Sequence, residues 1–161
     1  MSVYISSAAK KLVMARAGYR CEYCRVLAYL SAFDYHIEHI IGLQHDGPNS
    51  LNNLADCCAI CNWKKGPNIS TILEFGGHLI PLFNPRTQNW FDHFDVQNGY
   101  IQPLTPVVEA TIKLLVLNQH NKMEERYEMA KAGFTPKSHK ILRGPFSYKK
   151  AVPIDIRTAF L

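Results

Sequence analysis

Long apolar runs are missing from this 161-residue chain; the most apolar stretch, around Ile112–Leu117, is short and lies inside an amphipathic pattern. A helix that crosses a membrane needs roughly 20 predominantly apolar residues, so the sequence offers no candidate span. The start, Met1-Ser2-Val3-Tyr4, lacks the basic and apolar regions of a secretory signal, and a cytoplasmic location is expected. In that reducing compartment cysteines are expected as thiols or metal ligands rather than disulfides. Internal repeats and low-complexity tracts are also absent. Acidic residues are in short supply: 13 Asp and Glu face 18 Lys and Arg, a formal net charge of +5. That balance suits a polyanionic partner such as nucleic acid. What remains is an ordinary apolar fraction of 47%, enough for one packed domain with an appendage.

Cysteine is scarce too, yet four of the five fall into two CxxC pairs, Cys21-Cys24 and Cys58-Cys61. Each pair can form a tight knuckle that presents two sulfurs to one ion, and together they complete a tetrahedral zinc site. The 33 residues between the pairs can hold a strand and loop for the site to clamp. Four thiolates leave no open position for water, so this zinc is expected to be structural. It would add about two negative charges, four thiolates against one dication, leaving the rest of the surface more basic than the bare count. Cys57 lacks the two-residue spacing to Cys61 and reads as a core residue on a strand.

Along the chain, Ser7 to Ala17 reads as a helix capped by Ser6 or Ser7, with Leu12, Val13 and Ala17 on one face and Gly18 as its stop. Phe33 to Ile41 alternates like a strand, His45 to Ser50 is a loop, and Leu54 to Cys57 can form a second strand. Ala59 to Lys65 fits about two helical turns, closed by Gly66-Pro67. Farther on, Asn98-Gly99 signals a hairpin, and Thr105-Pro106 starts a helix that continues to about Gln119. A last helix is expected from Lys122 to Ala132, with Met123, Tyr127 and Ala130 on one face. Beyond Pro136 the tail is basic and Pro/Gly-punctuated, which suits either a docking arm or a poorly ordered segment.

The run Tyr35-His36-Ile37-Glu38-His39-Ile40-Ile41, followed by Asn52-Asn53-Leu54 and by Cys58 to Gly66, resembles the HNH endonucleases, in their zinc-containing branch. Thirteen residues separate His39 from Asn53 and eight separate Asn53 from Asn62, close to that family's spacing. The resemblance covers roughly residues 15–66. Gly66-Pro67-Asn68-Ile69, Pro81 to Arg86, Trp90-x-x-His93-Phe94 and Leu104-Thr105-Pro106 resemble the C-terminal half of small stand-alone bacterial members. The implied fold is α+β: a ββα-metal core at residues 1–70 with an N-terminal helix and the zinc staple. Residues 71–161 then form a mixed, partly helical extension packed on it. The implied activity is metal-dependent cleavage of DNA, giving 5′-phosphate and 3′-hydroxyl ends, with RNA the less favoured substrate. Each site cuts one strand, so a double-strand break requires a dimer or two independent nicks; a homodimer and companion proteins are the protein partners that fit.

Phosphodiester hydrolysis needs an activated water and a cation to offset charge on the phosphate. His39 suits the general base, the role in which an imidazole takes a proton from water. Glu38 either points to the opposite side of the strand or bends toward a metal at the strand's end, where its carboxylate is a hard ligand for Mg²⁺ or Mn²⁺. Asn62 offers an amide oxygen as second ligand. Asn53, the family's middle residue, is expected to hydrogen-bond the loop backbone and fix His39. Members of the family commonly carry Asp where this chain has Glu38, and some carry a third His in place of Asn62. His36 can line the metal site or simply pack, and His45 can approach phosphate. Arg20, Arg25, Lys64 and Lys65 are placed to contact flanking phosphates. The competing reading is a zinc-stapled interaction module without activity, which would need none of Glu38, His39, Asn53 and Asn62.

Overall fold

The computed structural model describes residues 4–31 and 33–134, so the basic tail expected beyond Pro136 lies outside the described residues. Helix α1 (Ser7–Arg16) begins where the Ser6 hydroxyl accepts from the Ala9 amide at 3.2 Å, and Gly18 turns left-handed (φ 63°) just past its end. Val13 and Ala17, one turn apart, are buried. Leu12, expected on the same face, is 58% exposed. The buried stripe is one residue wide because α1 touches the core only along its i, i+4 row.

Strands β1 (Tyr35–His39) and β2 (Leu54–Cys58) pair antiparallel, with His39 opposite Leu54 and Tyr35 opposite Cys58. Helix α2 (Ala59–Lys65) follows directly and stops at Gly66. This ββα unit has the order and helix bounds that the sequence predicts; β1 is shorter than expected and β2 one residue longer. Two short pairs complete the strands among the described residues: β3 (Ser70–Thr71) with β4 (Ile80–Pro81), and β5 (Phe94–Gln97) with β6 (Tyr100–Pro103). The β5–β6 turn uses Asn98 and Gly99 at φ 50° and 82°, the left-handed pair a two-residue hairpin requires. A side chain at Gly99 would also collide with the Met123 carbonyl.

Helix α3 (Trp90–His93) precedes β5, and α4 (Pro106–Leu115) and α5 (His120–Lys131) close the extension. Helix α4 ends four residues earlier than expected. Val116 turns left-handed (φ 51°), which frees Asn118 to bond both the amide and the carbonyl of Ile101, at 2.8 and 2.9 Å. Helix α5 buries a different face from the one read in the sequence. Tyr127 and Ala130 are exposed, whereas Lys122, Arg126 and Met129 are buried.

One hydrophobic cluster spans both halves: Cys21, Tyr23, Val26, Ala55 and Cys61 pack with Leu82, Phe83, Trp90, Phe94, Val108 and Met129. Trp90 stacks on Phe94 with centroids 4.5 Å apart, and its indole N–H donates to the Tyr23 carbonyl at 2.9 Å. Arg86 forms an ion pair with buried Glu22, beside Cys21. The extension therefore shares its core with the first knuckle. No helix among the described residues is long and apolar enough to cross a membrane.

Candidate active site and metal centre

Cys21 and Cys24 occupy the turn after α1, Cys58 caps α2, and Cys61 sits in its first turn. All four are buried, and their sulfurs lie within 4.8 Å of one another, with Cys24 and Cys58 at 3.8 Å. A tetrahedral zinc with Zn–S bonds of about 2.3 Å sets its sulfurs about 3.8 Å apart. The donor set and spacing fit zinc. Its neighbours Cys21, Cys24 and Cys61 push the Cys58 thiol up; sulfurs this crowded ionise together only around a cation.

One ligand partner was invisible in the sequence. Lys122 of α5 is 1% exposed, and its ammonium lies 2.8 Å from the Cys61 sulfur. Burial alone would lower its pKa, but the sulfurs of Cys24, Cys61 and Cys58 outweigh this and raise it. A buried lysine is tolerated only against negative charge, and a zinc held by four thiolates carries two. Arg126, one turn on, is buried with bonds to the carbonyls of Gly99 and Leu117 at 2.6 and 2.9 Å. Periodicity of apolar residues cannot find a face whose inward groups are cations.

The second site forms where β1 meets α2. An open cleft of ≈ 530 Å³ is lined by Ile37, Glu38, His39, Asn62, Gly66 and Pro67, with Gly42, Leu43 and Gln44 from the loop. Asn53 sits at the base of that loop and is buried. Its side-chain oxygen accepts from the Ile41 amide at 2.9 Å, while its NH₂ donates to the carbonyls of Ile41 (2.9 Å) and Pro48 (3.0 Å). Gly47 makes this closure possible, because a Cβ there would overlap the Ile41 carbonyl and crowd the Asn53 amide.

His39 leaves β1 half-buried at the cleft, its Nε2 3.2 Å from the side-chain oxygen of Asn49. The NH₂ of Asn49 donates to the Tyr4 carbonyl at 3.0 Å, which turns its oxygen toward the imidazole. Nε2 therefore carries the hydrogen and Nδ1 keeps its lone pair. Asn49 escaped the sequence reading, since a loop asparagine carries no pattern of its own.

Glu38 points to the opposite side of the strand from His39, into the interior. Its Oε1 lies 3.8 Å from the ammonium of Lys65 and has no hydrogen-bond partner among the described residues. Burial pushes its carboxyl up to about 7, against the opposing pull of Lys65 and Tyr23. A buried carboxylate oxygen on the lining of a cleft, with an ammonium at ion-pair distance but no hydrogen bond, keeps lone pairs to offer. A hard divalent ion there would take that oxygen, and the amide oxygen of Asn62, which lines the same cleft, would be the second ligand. These residues fit such an ion.

Residues 21–68 match the family model for HNH endonuclease. That segment is similar to HNH endonucleases. The match covers fewer than half of its residues, and no curated protein and no solved structure matches the chain.

The four cations expected at phosphates take different places. Lys65 is 1% exposed and donates to the His39 carbonyl at 3.2 Å, tying α2 to the end of β1. Arg20 is 5% exposed, and its guanidinium donates to the Arg25 carbonyl at 3.3 Å. Arg25 is drawn over the rings of Trp90 and Phe91, 6.0 Å from each centroid. These three cations are held by interior partners as folded here. Lys64 differs: it is partly exposed, with its ammonium 4.8 Å from the centroid of the Trp63 ring. His36 and His45 are exposed, and His93 packs against Phe83 with its Nδ1 3.1 Å from the Thr105 hydroxyl.

Proposed function

We propose that the cleft hydrolyses DNA phosphodiester bonds with a divalent ion, Mg²⁺ or Mn²⁺, held by Glu38 and Asn62. The similarity to HNH endonucleases implies nuclease activity in general. The observation that supports the finer reading is that His39, Glu38 and Asn62 line one cleft. Nδ1 of His39, left free by the bond to Asn49, takes a proton from a water. The water oxygen bonds to phosphorus, the bond from phosphorus to the 3′ oxygen breaks, and that oxygen leaves with the electron pair and takes a proton from solvent water, giving a 3′-hydroxyl beside a new 5′-phosphate. The bound ion supplies the positive charge that offsets what builds on the phosphate and the leaving oxygen. Asn53 and Lys65 hold the carbonyls on either side of this strand end, so His39 presents a fixed imidazole. A reducing cytoplasm, which preserves zinc thiolates, is the location we infer.

Supercoiled plasmid tests the reading. Nicked circles are expected only when Mg²⁺ or Mn²⁺ is added, and ligase should reseal them, because their ends are 5′-phosphate and 3′-hydroxyl. The Asn62→Ala variant should need at least ~10-fold more metal for the same rate. Plasmid left intact with every divalent ion, by protein that still binds DNA, would favour the zinc-stapled binding module instead.

A further inference from the structure

Trp63 lies on α2 between Asn62, which lines the cleft, and Lys64. It is 77% exposed, whereas the other tryptophan, Trp90, is 6% exposed inside the core. One helical turn on, Gly66 also lines the cleft, so Trp63 is flanked along the chain by two residues that line it. Single exposed apolar side chains are common on surfaces. An indole this open, beside a cleft and with a lysine ammonium over its ring, is a different case. Its flat face is the surface on which a nucleobase stacks, and the ammonium beside it complements the phosphates flanking that base. Leu43, on the same cleft, and Ile41, next to the loop that lines it, are exposed at 44% and 39%, so the cleft is bordered by apolar surface with positive charge. The net charge of +5 favours the same class of partner.

We infer that Trp63 is a stacking platform for an unpaired base of the DNA strand entering the cleft. This rests on the nuclease reading for the identity of the strand. Bases inside a duplex have both faces covered by their neighbours, so an exposed indole stacks only on a base that is single-stranded or pulled from the helix. The site therefore prefers single strands, flaps and gaps over continuous duplex, and Lys64 contributes to affinity without choosing sequence.

Binding is measured with His39→Ala protein and no added divalent ion, so nothing is cut and the outcome does not depend on catalysis. Single-stranded oligonucleotide should quench the emission of exposed Trp63 while buried Trp90 persists, and the quenching should vanish in Trp63→Phe. Affinity for the single strand should fall roughly 5- to 150-fold in Trp63→Ala, with Trp63→Phe in between and duplex affinity little changed. Single-strand binding unaltered in Trp63→Ala, or duplex bound as tightly as single strand by the parent, overturns the platform. If plasmid nicking meanwhile proceeds normally, the nuclease reading survives that result; if nicking fails but quenching holds, the platform survives instead.

Discussion

Stripping the metal from the four cysteines is expected to unfold both halves of the described structure together. A structural zinc contributes on the order of 10 kcal/mol of apparent folding free energy, and a domain's whole stability is only about 5–15 kcal/mol. The four sulfurs are buried in the same cluster as Leu82, Phe83, Trp90, Phe94 and Met129, so the extension has no separate core to fall back on. The ββα unit by itself is a two-stranded pair and a seven-residue helix, too little to persist unsupported. Metal analysis should find one zinc per chain that survives mild chelation. A strong chelator should abolish helical circular dichroism and shift buried Trp90 to the red in one transition. Helices α4 and α5 persisting after complete zinc loss would show instead that the extension folds alone.

Lys122→Met should be the most damaging single change in the extension. The ammonium 2.8 Å from the Cys61 sulfur is fully enclosed, so its removal leaves the charge of a four-thiolate zinc facing an apolar side chain. Breaking a buried ion pair by deleting one partner costs about 3–5 kcal/mol, roughly 6–20 °C in melting temperature for a chain of this size. Lys122→Arg keeps the charge and the donor and should retain most of the stability. Zinc should also leave faster from Lys122→Met when a chromophoric chelator is added, which a loss of packing elsewhere in α5 would not produce. A Met variant as stable as the parent, releasing zinc at the same rate, would mean that the lysine only fills space.

Much of this centre could be read from spacing. Cys21-Cys24 and Cys58-Cys61 announce their ion because CxxC geometry is local, and α2 follows from its Gly66-Pro67 stop. The Asn98-Gly99 hairpin was legible for the same reason, since its turn chemistry is carried by two residues. What failed depended on long-range charge. Lys65 looks like a surface cation on a short helix, yet Glu38 and the His39 carbonyl draw it inside. Helix α5 shows Met123, Tyr127 and Ala130 as its apolar row, yet the thiolates and the Gly99 and Leu117 carbonyls select Lys122 and Arg126. The tautomer of His39 rests on Asn49, a loop residue ten positions away that gives no signal until the loop closes around Gly47.

In the proposed reaction the imidazole of residue 39 removes the proton from the attacking water. Single-turnover nicking by a His39→Gly variant, with and without added imidazole, tests it most directly. A loss of about 10²–10⁴ in rate is expected, with a partial recovery that grows with the concentration of free-base imidazole. Nicking by the glycine variant at the parent rate, indifferent to imidazole, would contradict it.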